Sequence, residues 1–157
     1  MSNSFSTSRN IELSTIFYLE TELKNDWGNI NIVKSFTNAY KAALPVVAIN
    51  LSSINSGRRE IGATTLLNDY IIDINIFASS DGLRIDLVDY IMNKLKDCWD
   101  YYTHSQTSGS PETLTRVADG KIFTTDYIMN DKINLGVDAD VYDRFRSFIQ
   151  IAVRPSE

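Results

Sequence analysis

Residues 66–78 constrain this chain more than any other stretch. They read Leu-Leu-Asn-Asp-Tyr-Ile-Ile-Asp-Ile-Asn-Ile-Phe-Ala. Ile72, Ile74 and Ile76 fall on one side of an extended chain, and Asp73 and Asn75 on the other, a period of two. Such a strand needs a core on one side and tolerates a polar side, which is the pattern of an antiparallel sheet with an exposed face.

The neighbouring periodicities supply the rest of the sheet and its cover. Residues 9–25 predict a helix whose apolar face is Leu13, Ile16, Phe17 and Leu23, with Leu19 on its flank. Lys24 suits the negative end of its dipole, and Asn25, Asp26 and Gly28 mark its stop. Residues 30–42 fit either a short strand through Ile30, Ile32 and Phe36 or a helix through Ala39 and Ala43. Pro45 keeps Leu44 extended, and a strand follows with Val47, Ile49 and Leu51 on one side. Residues 52–65 are polar and read as a long loop.

Asp81 is a suitable N-cap for a helix running to about Lys96, with Leu83, Leu87, Val88, Ile91 and Leu95 on its apolar face. Trp99 to Thr103 is a strand-like aromatic run, and residues 105–113 read as a loop. Asp119-Gly120 predicts a two-residue hairpin turn leading into a strand from Lys121 to Met129. Residues 136–143 form a turn region before a last strand from Phe145 to Val153. The resulting expectation is one α+β domain over residues 1–157, a mostly antiparallel sheet with two principal helices packed on one face. Residues 1–8 are expected to be a flexible N-terminal lead.

At 157 residues and 43% hydrophobic content the chain can build one real core. Its 20 acidic against 15 basic residues give a net charge of −5, which argues against an external grip on duplex nucleic acid. One cysteine, Cys98, allows no internal disulfide and fits a reducing compartment. The N-terminal residues have no apolar signal-peptide core, and no apolar run is long enough to cross a bilayer, so cytoplasmic synthesis is expected.

No catalytic, cofactor or metal signature stands out. His104 is the single histidine, and with Cys98 alone a Cys/His zinc site is excluded. His104 is read as a residue at a loop edge and Cys98 as a continuation of the second helix's apolar face, in preference to a catalytic dyad. Of the acid pairs Asp86/Asp89, Asp97/Asp100 and Asp138/Asp140, those in the second helix fit its solvated first turn, and Asp138-Ala139-Asp140 lacks the glycine and distal glutamate of a calcium loop. Gly57-Arg58-Arg59-Glu60-Ile61-Gly62 lacks the lysine and hydroxyl residue of a phosphate loop, and reads either as a solvated loop or as a partner contact. Arg144, Arg146 and Arg154 alternate along the last strand, as a basic stripe facing a partner or as the ordinary outer face of that strand. Trp99, Tyr101 and Tyr102 are candidates for base stacking or for the core.

The run Leu44-Pro45-Val46-Val47-Ala48-Ile49-Asn50-Leu51, the Arg-Arg-Glu segment, Tyr70 to Ala78 and the helix through Asp86-Leu87-Val88-Asp89-Tyr90-Ile91 together resemble the tail-terminator and tail-completion (neck) proteins of long-tailed bacteriophages of the lambda type. The ending from Tyr142 to Val153 resembles their final strand more loosely. The resemblance implies a non-enzymatic structural virion protein without cofactor or metal. Such subunits assemble into a hexameric ring that caps the tail tube, stops its polymerisation and joins the tail to head connector proteins. DNA passes through the lumen without specific binding, and the protein ends in the virion's tail or neck. Arg58, Arg59, Glu60, Arg144 and Arg146 are the partner-contact candidates under that reading. Another head–tail connector, a small enzyme built around His104 and Asp100, and a nucleic-acid-binding module remain the alternatives.

Overall fold

The computed structural model describes residues 2–34, 39–58, 61–62, 66–107, 113–133 and 144–156. Along the chain run β1 (Ser2–Ser4), α1 (Thr7–Trp27), β2 (Asn31–Val33), β3 (Val46–Arg58), β4 (Leu66–Phe77), α2 (Asp81–Lys94), β5 (Trp99–Thr107), β6 (Thr113–Ile133) and β7 (Arg146–Pro155). The seven strands form one sheet in the order β1-β5-β6-β7-β4-β3-β2. Every pairing is antiparallel except the short parallel contact of β2 with β3. This is the expected α+β fold.

The alternation in β4 turns its isoleucines inward as expected, but the other side is not an open face: Asn75 and Phe77 are buried there and Asp73 is half-buried. Ile72, Ile74 and Ile76 are fully buried and join Val47 and Ile49 of β3 with Ile149, Ile151 and Val153 of β7 in the main core. Leu19 and Leu23 of α1 and Leu87 and Ile91 of α2 close that core from the same face. On the opposite face, Val46, Ala48 and Phe77 gather with Ala39 in a smaller cluster. Across that face, Gln150 donates to Asp73 at 2.9 Å.

Helices α1 and α2 each start on a serine cap. Ser6 Oγ accepts from Arg9 N–H, and Ser80 Oγ accepts from Leu83 N–H at 3.2 Å. The cap of α2 is therefore Ser80, and Asp81 occupies the first helical position, held by Arg84 and by Lys132 of β6.

The buried line of α1 is Ile11, Thr15, Leu19 and Leu23, at a spacing of four, rather than Leu13, Ile16 and Phe17, which are only half-buried. Residues 2–4 are not a loose lead, since they pair with Ser105, Gln106 and Thr107 of β5. The polar stretch 52–58 is strand rather than loop, because β3 continues to Arg58 opposite β4. The segment 105–107 likewise belongs to β5. The expected turn region 136–143 lies outside the described residues.

Asp119-Gly120 makes no hairpin; β6 runs straight through it. Between Asp100/Lys121 and Tyr102/Ala118 the pairing of β5 with β6 shifts by one residue, so the dipeptide forms a bulge. Gly120 takes φ +100°, a conformation that a turn and a bulge can both demand. The last residues fix the outcome: Ser156 N–H donates to Lys121 O at 2.7 Å, and Lys121 N–H donates to Ser156 Oγ at 3.0 Å.

Candidate functional site

A sheet exposes unpaired N–H and C=O groups along its outer strands, and folded proteins normally cover them. In this chain α1 does much of the covering. Asn10 Oδ1 accepts from the backbone N–H of His104 at 3.0 Å, and Ser14 Oγ accepts from that of Tyr102 at 3.0 Å, so two residues one helical turn apart cap the outer edge of β5. On the other side of the sheet, Glu12 Oε2 accepts from Leu51 N–H of β3 at 2.8 Å, while its second oxygen meets Lys34 Nζ at 3.0 Å. The sheet thus curls far enough for one helix to reach both flanks. Asn10, Glu12 and Ser14 are all buried.

Among the described residues the coverage stops on two strands. Beyond Leu51, residues 52–57 of β3 are exposed throughout, and β2 reaches only Val46, Val47 and Ala48. With the first residues of β4 they make a two-stranded ribbon that runs past the paired part of β7, which meets β4 only from Tyr70 onward. Ile54, Leu66 and Ile61 stand exposed on it, Ile61 completely.

The second place is β6. Its first half pairs with β5 up to Ile122, and its second half pairs with β7 from Ile122 onward. By this register residues 114–120 keep the β7-side flank, and residues 123–133 the β5-side flank, without a strand neighbour among the described residues. Tyr127, Ile128 and Met129 are exposed there. Two further one-residue shifts against β7, near Thr125 and Ile128, bend this segment.

His104 lies within β5, buried, rather than at a loop edge. Asn10 Oδ1 can only accept, so the Nδ1 contact at 3.1 Å places the ring proton on Nδ1, and Nε2 then faces Arg116 Nε at 3.4 Å. Burial, then the Arg116 charge, holds its pKa below the ordinary 6.5. Cys98 is exposed, not part of the apolar face of α2. Six residues of extended chain separate the two by roughly 20 Å, which rules out a dyad.

The cleft beside Cys98 is lined by Phe17, Tyr18, Trp99, Asp100, Tyr102 and Lys121. Tyr18 stacks on Trp99 with centroids 5.3 Å apart, and its hydroxyl donates to Lys94 O. Burial, assisted by Glu22 and Asp97, pushes the Tyr18 pKa up to about 12. The hydrogen bond from Lys121 draws the Asp100 carboxyl below its usual range and raises the lysine in return. Tyr18, Asp100 and Lys121 are thereby moved away from proton exchange near neutrality. Trp99 and Tyr101 are buried core residues rather than stacking platforms.

The arginine stripe is not a uniform surface feature. Arg144 is exposed, but Arg146 is only 6% exposed, lies 4.7 Å from the Phe77 ring centroid and donates to Asn75 Oδ1. Arg154 pairs with Asp69 at 2.9 Å. Arg58 ends β3 opposite Leu66, and Arg59 and Glu60 lie outside the described residues. The five partner-contact candidates are therefore not one patch: Arg58 ends the exposed ribbon, while Arg146 is committed to the interior.

The residues that matter most to the exposed edges, Asn10, Glu12, Ser14 and Ile54, carry no sequence motif. The one signal available was the pair Asn10 and Ser14, polar and one helical turn apart on the side of α1 that also carries Ile11. No helix among the described residues is long and apolar enough to cross a membrane. No protein-family model matches the chain, and no curated protein matches it significantly.

Proposed function

We propose that this chain is a structural subunit of the tail-to-head junction of a long-tailed bacteriophage, a tail terminator that works as a closed ring. The sequence pattern from Leu44 to Ile91 supports the family, and the β3–β4 ribbon is the observation that supports the mode of action. A two-stranded ribbon whose β3 half is exposed on both faces and whose β4 half is only half-buried has little core of its own, so it is suited to a partner. Its exposed Ile54, Ile61 and Leu66 give that partner apolar contact. Capping needs one face that binds what a tube subunit would bind and another that does not repeat the tube's surface. Head-to-tail contacts that close produce such a ring without any self-complementary patch.

The test is a polymerisation assay with the tail-tube protein of the same phage. Addition of this chain should shorten the tubes in proportion to its concentration, with a ring visible at one tube end by electron microscopy. Tubes of unchanged length overturn the terminator reading. Binding to a head connector with no effect on tubes moves the protein to another position in the neck.

A further inference from the structure

We propose that copies of this chain join head to tail by strand addition, the outer edge of β3 at residues 53–58 pairing with the open flank of β6 at residues 123–133 of the next copy. The inference rests on the ring reading above and names the surface that makes the ring.

The pattern of edge coverage carries it. Several stretches of edge are satisfied from within: β1 pairs with the end of β5, Asn10 and Ser14 cap its middle, β2 covers the start of β3, and Glu12 caps Leu51. Among the described residues, 53–58 of β3 and 123–133 of β6 stay open on opposite sides of one sheet, as does the β7-side flank of residues 114–120, and the first two can serve as the halves of a heterologous contact. Main-chain hydrogen bonds then supply affinity, and the side chains set the partner.

The occupant is a second copy because the halves fit one another. Residues 53–58 carry Arg58 as their only charge, while residues 123–133 carry Asp126, Asp131 and Lys132 and are net negative. Each brings exposed apolar side chains: Ile54 from the ribbon, and Tyr127, Ile128 and Met129 from β6. The bulges near Thr125 and Ile128 interrupt regular pairing, which disfavours unrelated strands and favours a partner matched in register.

Two exposed positions provide the test. Native mass spectrometry and light scattering are applied to the wild-type chain, to Ile54→Asp and to Met129→Asp, with circular dichroism to confirm that both variants fold. A buried charge on either edge should weaken self-association at least about tenfold. The decisive sample is the mixture of the two variants. Each retains one good edge, so together they should form a one-to-one heterodimer and nothing larger. A disulfide between Asn55→Cys and Met129→Cys in a Cys98→Ser background, joining different copies only, gives a second readout that does not depend on weakened binding. Wild-type oligomers that persist in both variants, with no cross-link, overturn the edge contact while leaving the ring reading standing. Variants that turn monomeric but do not pair when mixed overturn the head-to-tail arrangement. A wild-type chain that stays monomeric at every concentration overturns the inference outright.

Discussion

The carboxylate of Glu12 holds the backbone N–H of Leu51 at 2.8 Å, and this contact marks where the sheet stops being covered by its own helix. Glu12 is 9% exposed, and its other oxygen meets Lys34, whose side chain is largely in water. The two contacts are unequal. Glu12→Gln keeps an acceptor for Leu51 and loses an ion pair to an exposed lysine, which costs about 0–1 kcal/mol. Glu12→Ala leaves a part-buried N–H unmatched and should cost about 1–3 kcal/mol. Urea unfolding of both variants checks the order. Equal losses would mean that the ion pair, not the edge cap, is what Glu12 supplies.

His104 makes stability depend on pH in a definite direction. Its folded pKa lies below 6.5, so the unfolded chain takes up the proton first. Protonation in the fold would also set a second N–H against Arg116. Stability should be level above neutrality and fall as pH drops below 6.5 toward the folded pKa. His104→Gln should remove that slope from the melting temperature while leaving a separate acid limb. The second limb belongs to Asp81 and Asp100, whose depressed pKa values lose their stabilising effect only as pH falls below 3.8. A melting temperature that is flat from pH 7 to pH 5 would contradict the buried neutral ring.

Gly120 tests the bulge. It sits at φ +100°, and an added Cβ would meet Ser156 Oγ at 3.4 Å. Gly120→Ala should therefore destabilise by about 1–3 kcal/mol. Gly57 has no such φ and open space around it, so Gly57→Ala should be neutral or stabilising by up to about 1 kcal/mol. The pair separates backbone strain at the bulge from the general effect of removing a glycine.

Legibility followed burial. The alternation in β4 and the apolar stripe of α2 were readable because one side of each meets the core and the other meets water or the sheet's outer face. The β3 extension was not, since residues 52–57 are exposed on both faces and a strand without a buried side leaves no period of two. The line of α1 misled for the opposite reason. Its buried side carries Asn10, Ser14 and Thr15, which serve β5 and Trp99, so hydrophobicity pointed to the half-buried Leu13 and Phe17 instead. Asp119-Gly120 fixes a backbone conformation, but whether that becomes a turn or a bulge depends on Ser156, far along the chain. Exposed edges depend on which neighbours are missing, and sequence does not record missing neighbours.

The arginines of β7 should separate interior from surface roles. Arg146 is 6% exposed and packs on Phe77, with Asn75 as a hydrogen-bond partner. Arg146→Ala removes the apolar stem and the charge together and leaves the Asn75 carbonyl without this donor, so a loss of about 2–4 kcal/mol is expected. Arg154 pairs with Asp69, both about one-third exposed, and Arg154→Ala should cost no more than about 1 kcal/mol. If β7 instead presented a phosphate-binding stripe, both substitutions would weaken DNA binding at low salt by similar amounts while leaving stability alone. A gel-shift titration alongside chemical denaturation distinguishes the two. The expected result is a large stability loss for Arg146→Ala, a small one for Arg154→Ala and no retardation of DNA by the wild-type chain. DNA retardation that both variants abolish would return the basic stripe to the protein's surface and make nucleic acid its partner.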